Sequence, residues 1–167
     1  MIATAHLEQA KTPEQIALAR TLFQEYGASL GFSLCFQNFD KELAGLPGDY
    51  APPRGRLLIA YIDSQAAGCV ALHEFEPDVA EMKRLYVRPA FRGKCVGLAL
   101  TNAIIEAARE IGYGRVRLDT VPSEMAAAVK MYQRLGFEEI APYRANPQPG
   151  TLYLELDLKK SQSGRQG

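Results

Sequence analysis

A chain of 167 residues, 47% apolar and 23% charged, fits one globular domain with a single core of ordinary size. Nineteen basic residues offset nineteen acidic ones, so the basic excess of a nucleic-acid binder is missing and no nucleic-acid partner is expected. No apolar run approaches the ~20 residues of a bilayer-spanning helix, and Glu8, Gln9, Lys11 and Glu14 break any signal-peptide core, so no membrane segment or export signal is expected.

In chain order, residues 2–7 alternate weakly and predict a first strand. Thr12-Pro13-Glu14-Gln15 predicts a helix start, with Thr12 as N-cap, Pro13 in the first helical position and Gln15 completing a capping box. Ile16, Ala19, Phe23, Tyr26 and Leu30 follow at helical spacing, with Gly31 as the stop. Phe36, Phe39, Leu43 and Leu46 predict a shorter second helix, and the proline- and glycine-rich stretch 47–55 a loop. Leu57–Ile62, Gly68–Phe75 and Val79–Val87 predict three strands of an antiparallel meander. A loop from Arg88 to Cys95 leads into a helix with Leu100, Ile104, Ala108 and Ile111 on one face. Val116–Val121 is a predicted strand, Ser123 the cap of a helix over 124–135, and Gly136 its end. Phe137–Ile140 and Thr151–Leu158 are the last strands.

This order, β-α-α-β-β-β-α-β-α-β-β, implies an α/β fold with about seven strands in a mixed, mostly antiparallel twisted sheet flanked by about four helices. Residues 1–158 form one expected domain, and the tail 159–167 lacks apolar anchors and is expected to be disordered. Cys35, Cys69 and Cys95 are far apart and form no Cys-x-x-Cys pair, which argues against a disulfide framework or zinc site and for the reducing cytoplasm. His6 and His73 are the only histidines and neither lies in a supporting motif, so no metal centre is expected.

The segment Arg92-Gly93-Lys94-Cys95-Val96-Gly97 carries the chemistry. It follows a strand and opens a helix, where free backbone N–H groups and the helix dipole attract an anion. Gly93 and Gly97 allow close approach of the main chain to a phosphate, and Arg92 and Lys94 add positive charge. A P-loop is excluded, because Arg88 stands at its first glycine position and Cys95 at its hydroxyl position. A dinucleotide Gly-x-Gly-x-x-Gly is also missing.

The segment from Glu81 through Val87 to Leu100 resembles the core acyl-CoA motif of the GNAT superfamily of acyl-CoA-dependent N-acyltransferases. Tyr132-Gln133-Arg134-Leu135-Gly136-Phe137 is similar to that family's second signature. The resemblance extends to the element order over residues 1–158. Two positions depart from it: Cys95 replaces the first motif glycine, and Met125 replaces an asparagine often found before the helix tyrosine. An ordinary φ is expected at Cys95, with its N–H still facing the phosphate.

The resemblance implies the GNAT fold and transfer of an acetyl group from acetyl-CoA to a primary amine, by direct attack in a ternary complex without a metal. The main chain of Leu85, Tyr86 and Val87 would pair with the pantetheine amides, and the Val87 N–H would stabilise the oxyanion. Arg92, Gly93, Lys94, Cys95, Val96, Gly97 and Leu98 would hold the pyrophosphate. Glu81 is the candidate general base; strand alternation places it on one face with Leu85 and Val87, and a salt bridge to Lys83, Arg84 or another residue is the structural alternative. Tyr132 is the candidate acid for the departing thiolate, and packing beside Met125 and Val129 its alternative. Glu74 and Glu76 are substitute bases, while His73 reads as structural or on the surface. Cys95 sits where a thiol pKa falls, so a redox role stands beside that of a tolerated small residue.

The acceptor, a small-molecule or peptide amine, would meet residues 23–56 and 141–150, which mix Phe32, Phe36, Phe39 and Tyr50 with Asp40, Asp49, Arg54, Arg56 and Arg144. A homodimer is common in the family. A non-catalytic acyl-CoA-binding module on the same fold is the alternative function.

Overall fold

The computed structural model describes residues 4–31, 38–145 and 148–159. Phe32, Cys35, Phe36 and the expected tail from residue 160 onward lie outside them. No helix of the described residues is long and apolar enough to cross a membrane.

The first helix begins as its capping box dictates. The Thr12 hydroxyl accepts the Gln15 N–H at 3.1 Å, and Gln15 Oε1 accepts the Thr12 N–H at 3.2 Å, so two otherwise orphaned donors are satisfied. Helix α1 (Pro13–Ser29) ends with Leu30 as its cap, just ahead of Gly31. Helix α2 covers Phe39–Ala44. The loop that follows contains one 3₁₀ turn, Gly48–Tyr50.

The strands are β1 (His6–Gln9), β2 (Arg56–Ile62), β3 (Gln65–Glu76), β4 (Val79–Val87), β5 (Arg115–Thr120), β6 (Glu138–Ile140) and β7 (Leu152–Asp157). They form one seven-stranded sheet in the order β1-β2-β3-β4-β5-β7-β6. Only the β4–β5 pair is parallel, and helix α3 (Val96–Ile111) makes the crossover between them. Helix α4 (Pro122–Arg134) links β5 to β6. The α/β class, the mixed seven-stranded sheet and the element order are those expected.

Several boundaries move. Strand β1 starts four residues later than predicted, because its extent is set by pairing with β2 from His6 opposite Tyr61 to Gln9 opposite Leu58. Ser123 is not an N-cap. Pro122 occupies the first helical position behind Val121, and a proline has no N–H to be capped. The α4 backbone also breaks at Met125, where φ is −139° and ψ 41°.

The sheet divides two apolar layers. Leu100, Ile104 and Ala108 of α3 pack with Val70, Leu72, Ala80 and Met82 on one face. Ala19, Leu22 and Phe23 of α1 pack with Leu57, Ile59, Cys69 and Ala71 on the other. Strand β4 does not keep one alternation along its length. Ala80 and Met82 face α3, whereas Glu81 and Lys83 face α1 and α2. At Arg84 the φ is +62°, and the register with β3 slips between Cys69 and Ala71. This bulge adds one residue, so Arg84 and Tyr86 remain toward α1 and α2 while Leu85 and Val87 turn toward α3. Glu81 therefore does not share a face with Leu85 and Val87, contrary to the alternation read from sequence.

The bulge is held by charge. Arg84 is buried and donates from Nε and Nη2 to both oxygens of Glu42 in α2, at 2.8 and 2.9 Å. Its guanidinium also lies 5.0 Å from the Phe39 ring centroid. Further along, Arg88 donates to both oxygens of Glu25 in α1 at 3.0 and 2.8 Å, and the Tyr86 hydroxyl donates to Glu25 at 3.2 Å. Opposite Val87 stands Gly68, where a Cβ would lie 2.3 Å from the Tyr86 carbonyl oxygen. Only glycine permits this approach of the two backbones. Gly68→Ala is expected to destabilise the fold by about 1–3 kcal/mol, as other overpacked sites do; a urea midpoint equal to wild type's would contradict the close approach.

Candidate active site

Strands β4 and β5 pair over only three residues, from Val79 opposite Arg115 to Glu81 opposite Arg117. Beyond Glu81 they part, and a cleft of about 430 Å³ opens between the end of β4 and α4. Leu85, Val87 and Arg92 form one wall, Met125 and Tyr132 the other, with Tyr26 between them. The Arg88 N–H bonds the Ala67 carbonyl at 2.8 Å, which leaves Val87, opposite Gly68, in the wide position of the ladder. The N–H and C=O of Val87 thus face the gap instead of β3. Arg92 Nε donates to that carbonyl at 3.1 Å.

The turn between β4 and α3 and the start of that helix carry residues 92–98, of which Arg92 lines the cleft. A 3₁₀ turn at Pro89–Phe91 precedes Gly93, whose φ is +79°. The N-terminus of α3 has no side-chain cap and no acidic residue in its first turn, so its N–H groups and dipole are offered outward. Gly97 sits against the end of β4, with space there for no more than a Cβ 3.7 Å from Val87 Cγ2. Cys95 corrects the sequence reading: its φ is +62° and ψ +21°, a left-handed conformation instead of the ordinary one expected. The family's glycine at this position matches a real backbone requirement, which Cys95 meets at a cost. The thiol is exposed.

A narrower slot continues the cleft inward between β4 and β5, lined by Lys83, Leu85, Thr120 and Tyr132 among others. On the far side lies a cavity of about 380 Å³ lined by Glu42, Leu46, Tyr50, His73 and Lys83. Tyr132 lines both the cleft and the slot, and Lys83 both the slot and the cavity. The Tyr132 ring packs 5.6 Å from that of Phe137, and burial pushes its hydroxyl pKa up. Among the described residues that hydroxyl has no hydrogen-bond partner.

Glu81 is fully buried and held by three side chains. His73 Nε2 lies 2.8 Å from Oε1, the Tyr143 hydroxyl donates to Oε2 at 2.8 Å, and Arg144 Nη2 also donates to Oε2. Burial alone would raise the pKa of this carboxyl. The His73 bond, the charges of Lys83 and Arg144, and the Arg144 bond outweigh it and bring the pKa down to about 2. The salt bridge weighed for Glu81 is present, with Arg144 as the partner and not Lys83 or Arg84. Glu74 and Glu76 pair instead with Arg54 and Arg117 and line none of these three spaces. Arg54 stacks on Tyr113, and Arg56 donates to the backbone of Pro53 and Gly55.

His73, Lys83 and Tyr143 are the site residues that sequence reasoning missed. For His73 a signal existed: an antiparallel β3–β4 hairpin turning near residues 77–78 places His73 opposite Glu81, as observed. For Lys83 there was one too, since alternation ahead of the bulge sets it on the face of Glu81 two residues away; for Tyr143 none existed, because a long irregular connection carries it.

A model of the acetyltransferase (GNAT) family matches residues 18–137. An uncharacterized N-acetyltransferase of Schizosaccharomyces pombe is 40% identical over 92% of this chain and 95% of its own length. Among solved structures, a GNAT-family acetyltransferase of Staphylococcus aureus superposes with a TM-score of 0.76 at 15% identity, over 93% of this chain and 99% of its own. An acetyltransferase of Salmonella typhimurium, solved with its cofactor acetyl-CoA, superposes with a TM-score of 0.66 at 19% identity, over 92% and 94%.

Two outcomes follow from this geometry. Cys95→Gly removes a Cβ from a left-handed residue and should raise stability by about 1 kcal/mol, read as a higher melting temperature. Glu81 titrates below its ordinary 4.5, so its stabilisation is complete above about pH 4.5 and is lost as pH falls toward 2. The stability gap between wild type and Glu81→Gln should therefore narrow by about 3 kcal/mol between about pH 5 and pH 2. A gap that stays constant with pH would remove the assignment of a depressed pKa.

Proposed function

The chain belongs to the GNAT family of acetyltransferases and is an acyltransferase; on that premise we propose that it transfers the acetyl group of acetyl-CoA to a primary amine by direct attack within a ternary complex. The observation that carries this reading is a row of adjoining spaces: the cleft at Arg92 and the open backbone edge of β4, the slot that shares Tyr132 with it, and the cavity that shares Lys83 with the slot. The Salmonella relative of this fold, which holds acetyl-CoA, supports the choice of cofactor.

Arg92, Gly93, Lys94, Cys95, Val96, Gly97 and Leu98 grip the pyrophosphate, chiefly through N–H groups and the helix end. The main chain of Leu85, Tyr86 and Val87 accepts the pantetheine arm as an added strand. The Val87 N–H meets the thioester oxygen and stabilises the charge that develops there. The amine enters from the cavity. An amine of pKa ~10 is mostly protonated at neutral pH and must shed a proton to attack.

Glu81 is the anchor of the base. Both its oxygens are engaged and its pKa of about 2 makes it a poor proton acceptor by itself. It acts by holding Nε2 of His73, which leaves Nδ1 of a ring that lines the cavity to take the proton. As the N–C bond forms and the C–S bond breaks, the amine proton passes to His73 and the sulfur leaves as thiolate. Tyr132, kept protonated by burial and free of other bonds among the described residues, supplies the proton that makes CoA-SH.

Calorimetric titration with acetyl-CoA, followed by CoA release against pooled primary amines, tests the assignment. Both should be positive. Acetyl-CoA binding with no release by any amine would favour the non-catalytic module. Tyr132→Phe should lower kcat while acetyl-CoA affinity stays within about threefold. His73→Ala should lower kcat by about 10²-fold or more, the usual worth of a general base. Glu81→Gln should displace the pH profile of kcat, and an unmoved profile would sink its role.

A further inference from the structure

Lys83 is the one residue that lines both the slot at Tyr132 and the 380 Å³ cavity. An amine that passes from this cavity into the slot therefore passes Lys83. That side chain is half-buried; Asp49 lines the same cavity and Asp119 the slot without forming an ion pair with it, and the two carboxylates that act on it most are already taken. Glu42 gives both oxygens to Arg84, and Glu81 is shared by His73, Tyr143 and Arg144. Among the described residues Lys83 has no ion pair. A half-buried cation without a counter-ion is costly, and a bound anion repays that cost. Burial and the Arg84 charge already pull the Lys83 pKa below its ordinary value, against the opposing pull of Glu81 and Glu42, with Arg144 adding to the lowering.

Resting on the transferase reading above, we propose that the acceptor is a small amino acid or close analogue, with a carboxylate on or next to the carbon bearing its amine, and that Lys83 holds this carboxylate. The cavity supplies the complementary parts. His73 faces the amine, and Leu46, Pro47 and Tyr50 give an apolar wall for the rest of the molecule. Because Lys83 borders both the slot and the cavity, a carboxylate held there lies near the attacking nitrogen. The same ammonium disfavours a protonated amine beside it, which helps deliver the neutral nucleophile.

The test is a comparison within matched acceptors, each amino acid against its amide and its decarboxylated amine, with rates corrected for the fraction of neutral amine. Wild type should show kcat/KM at least tenfold higher for the free acid, the scale of one charge-assisted hydrogen bond. Lys83→Met should reduce the acid-to-amide ratio at least tenfold, and Lys83→Arg should retain most of it. Turnover of amides or plain amines as fast as the acids would overturn the inference while leaving the transferase reading intact. So would a Lys83→Met loss equal for acid and amide, which would assign Lys83 to the chemical step. Failure of every acceptor despite acetyl-CoA binding would overturn both.

Discussion

The bulge at Arg84 governs the site. A strand held in register along its whole length would continue beside β5 past Glu81, with its backbone bonds consumed in the ladder. The extra residue, with its left-handed φ of +62°, bends β4 away and frees the edge at Leu85 and Val87. A left-handed arginine costs about 1–2 kcal/mol. The cost is offset by placing that same side chain in a buried bidentate pair with Glu42, against the rings of Phe39 and Tyr26.

Strand β4 then serves as the hub of three carboxylate–arginine pairs, each tying it to a different wall. Arg88 reaches Glu25 in α1, Arg84 reaches Glu42 in α2, and Glu81 receives Arg144 from the connection between β6 and β7. Adding the His73 bond from β3, four neighbouring segments are tied to β4 or to the residue that follows it. Charge pairs of this kind contribute little net stability where they are buried. Their value here is placement, since donors and acceptors are held in position before any ligand arrives.

Element order, the capping box at Thr12 and the turn at Arg92–Gly97 that opens α3 were legible because each is a local pattern: helical spacing, a side chain three residues from its partner, a glycine-basic run before an apolar helix. The face occupied by Glu81 was not. Alternation counts residues, and no composition cue at Lys83-Arg84 announces that one of them is extra; the stabilising partner, Glu42, lies more than forty residues away. Cys95 failed for a related reason. Its side chain argues against positive φ, and only the geometry of the turn that must join β4 to α3 imposes it. Likewise a carboxylate's basicity depends on what surrounds it, and two of the three groups on Glu81, Tyr143 and Arg144, belong to a connection with no periodic signature.

The added residue in β4 also divides the strand into two reading frames. Even-numbered Ala80 and Met82 look toward α3 before it, and odd-numbered Leu85 and Val87 after it. Removing Arg84 would restore regular alternation without exchanging faces: Leu85 and Val87 would still look toward α3 and Tyr86 toward α1, but the bulge and the bend it gives β4 would be lost. Substitutions in this segment alter one contact at a time, whereas a one-codon deletion would close the ladder along the whole edge of the strand. The length of β4 is thus under tighter constraint than the identity of most residues within it.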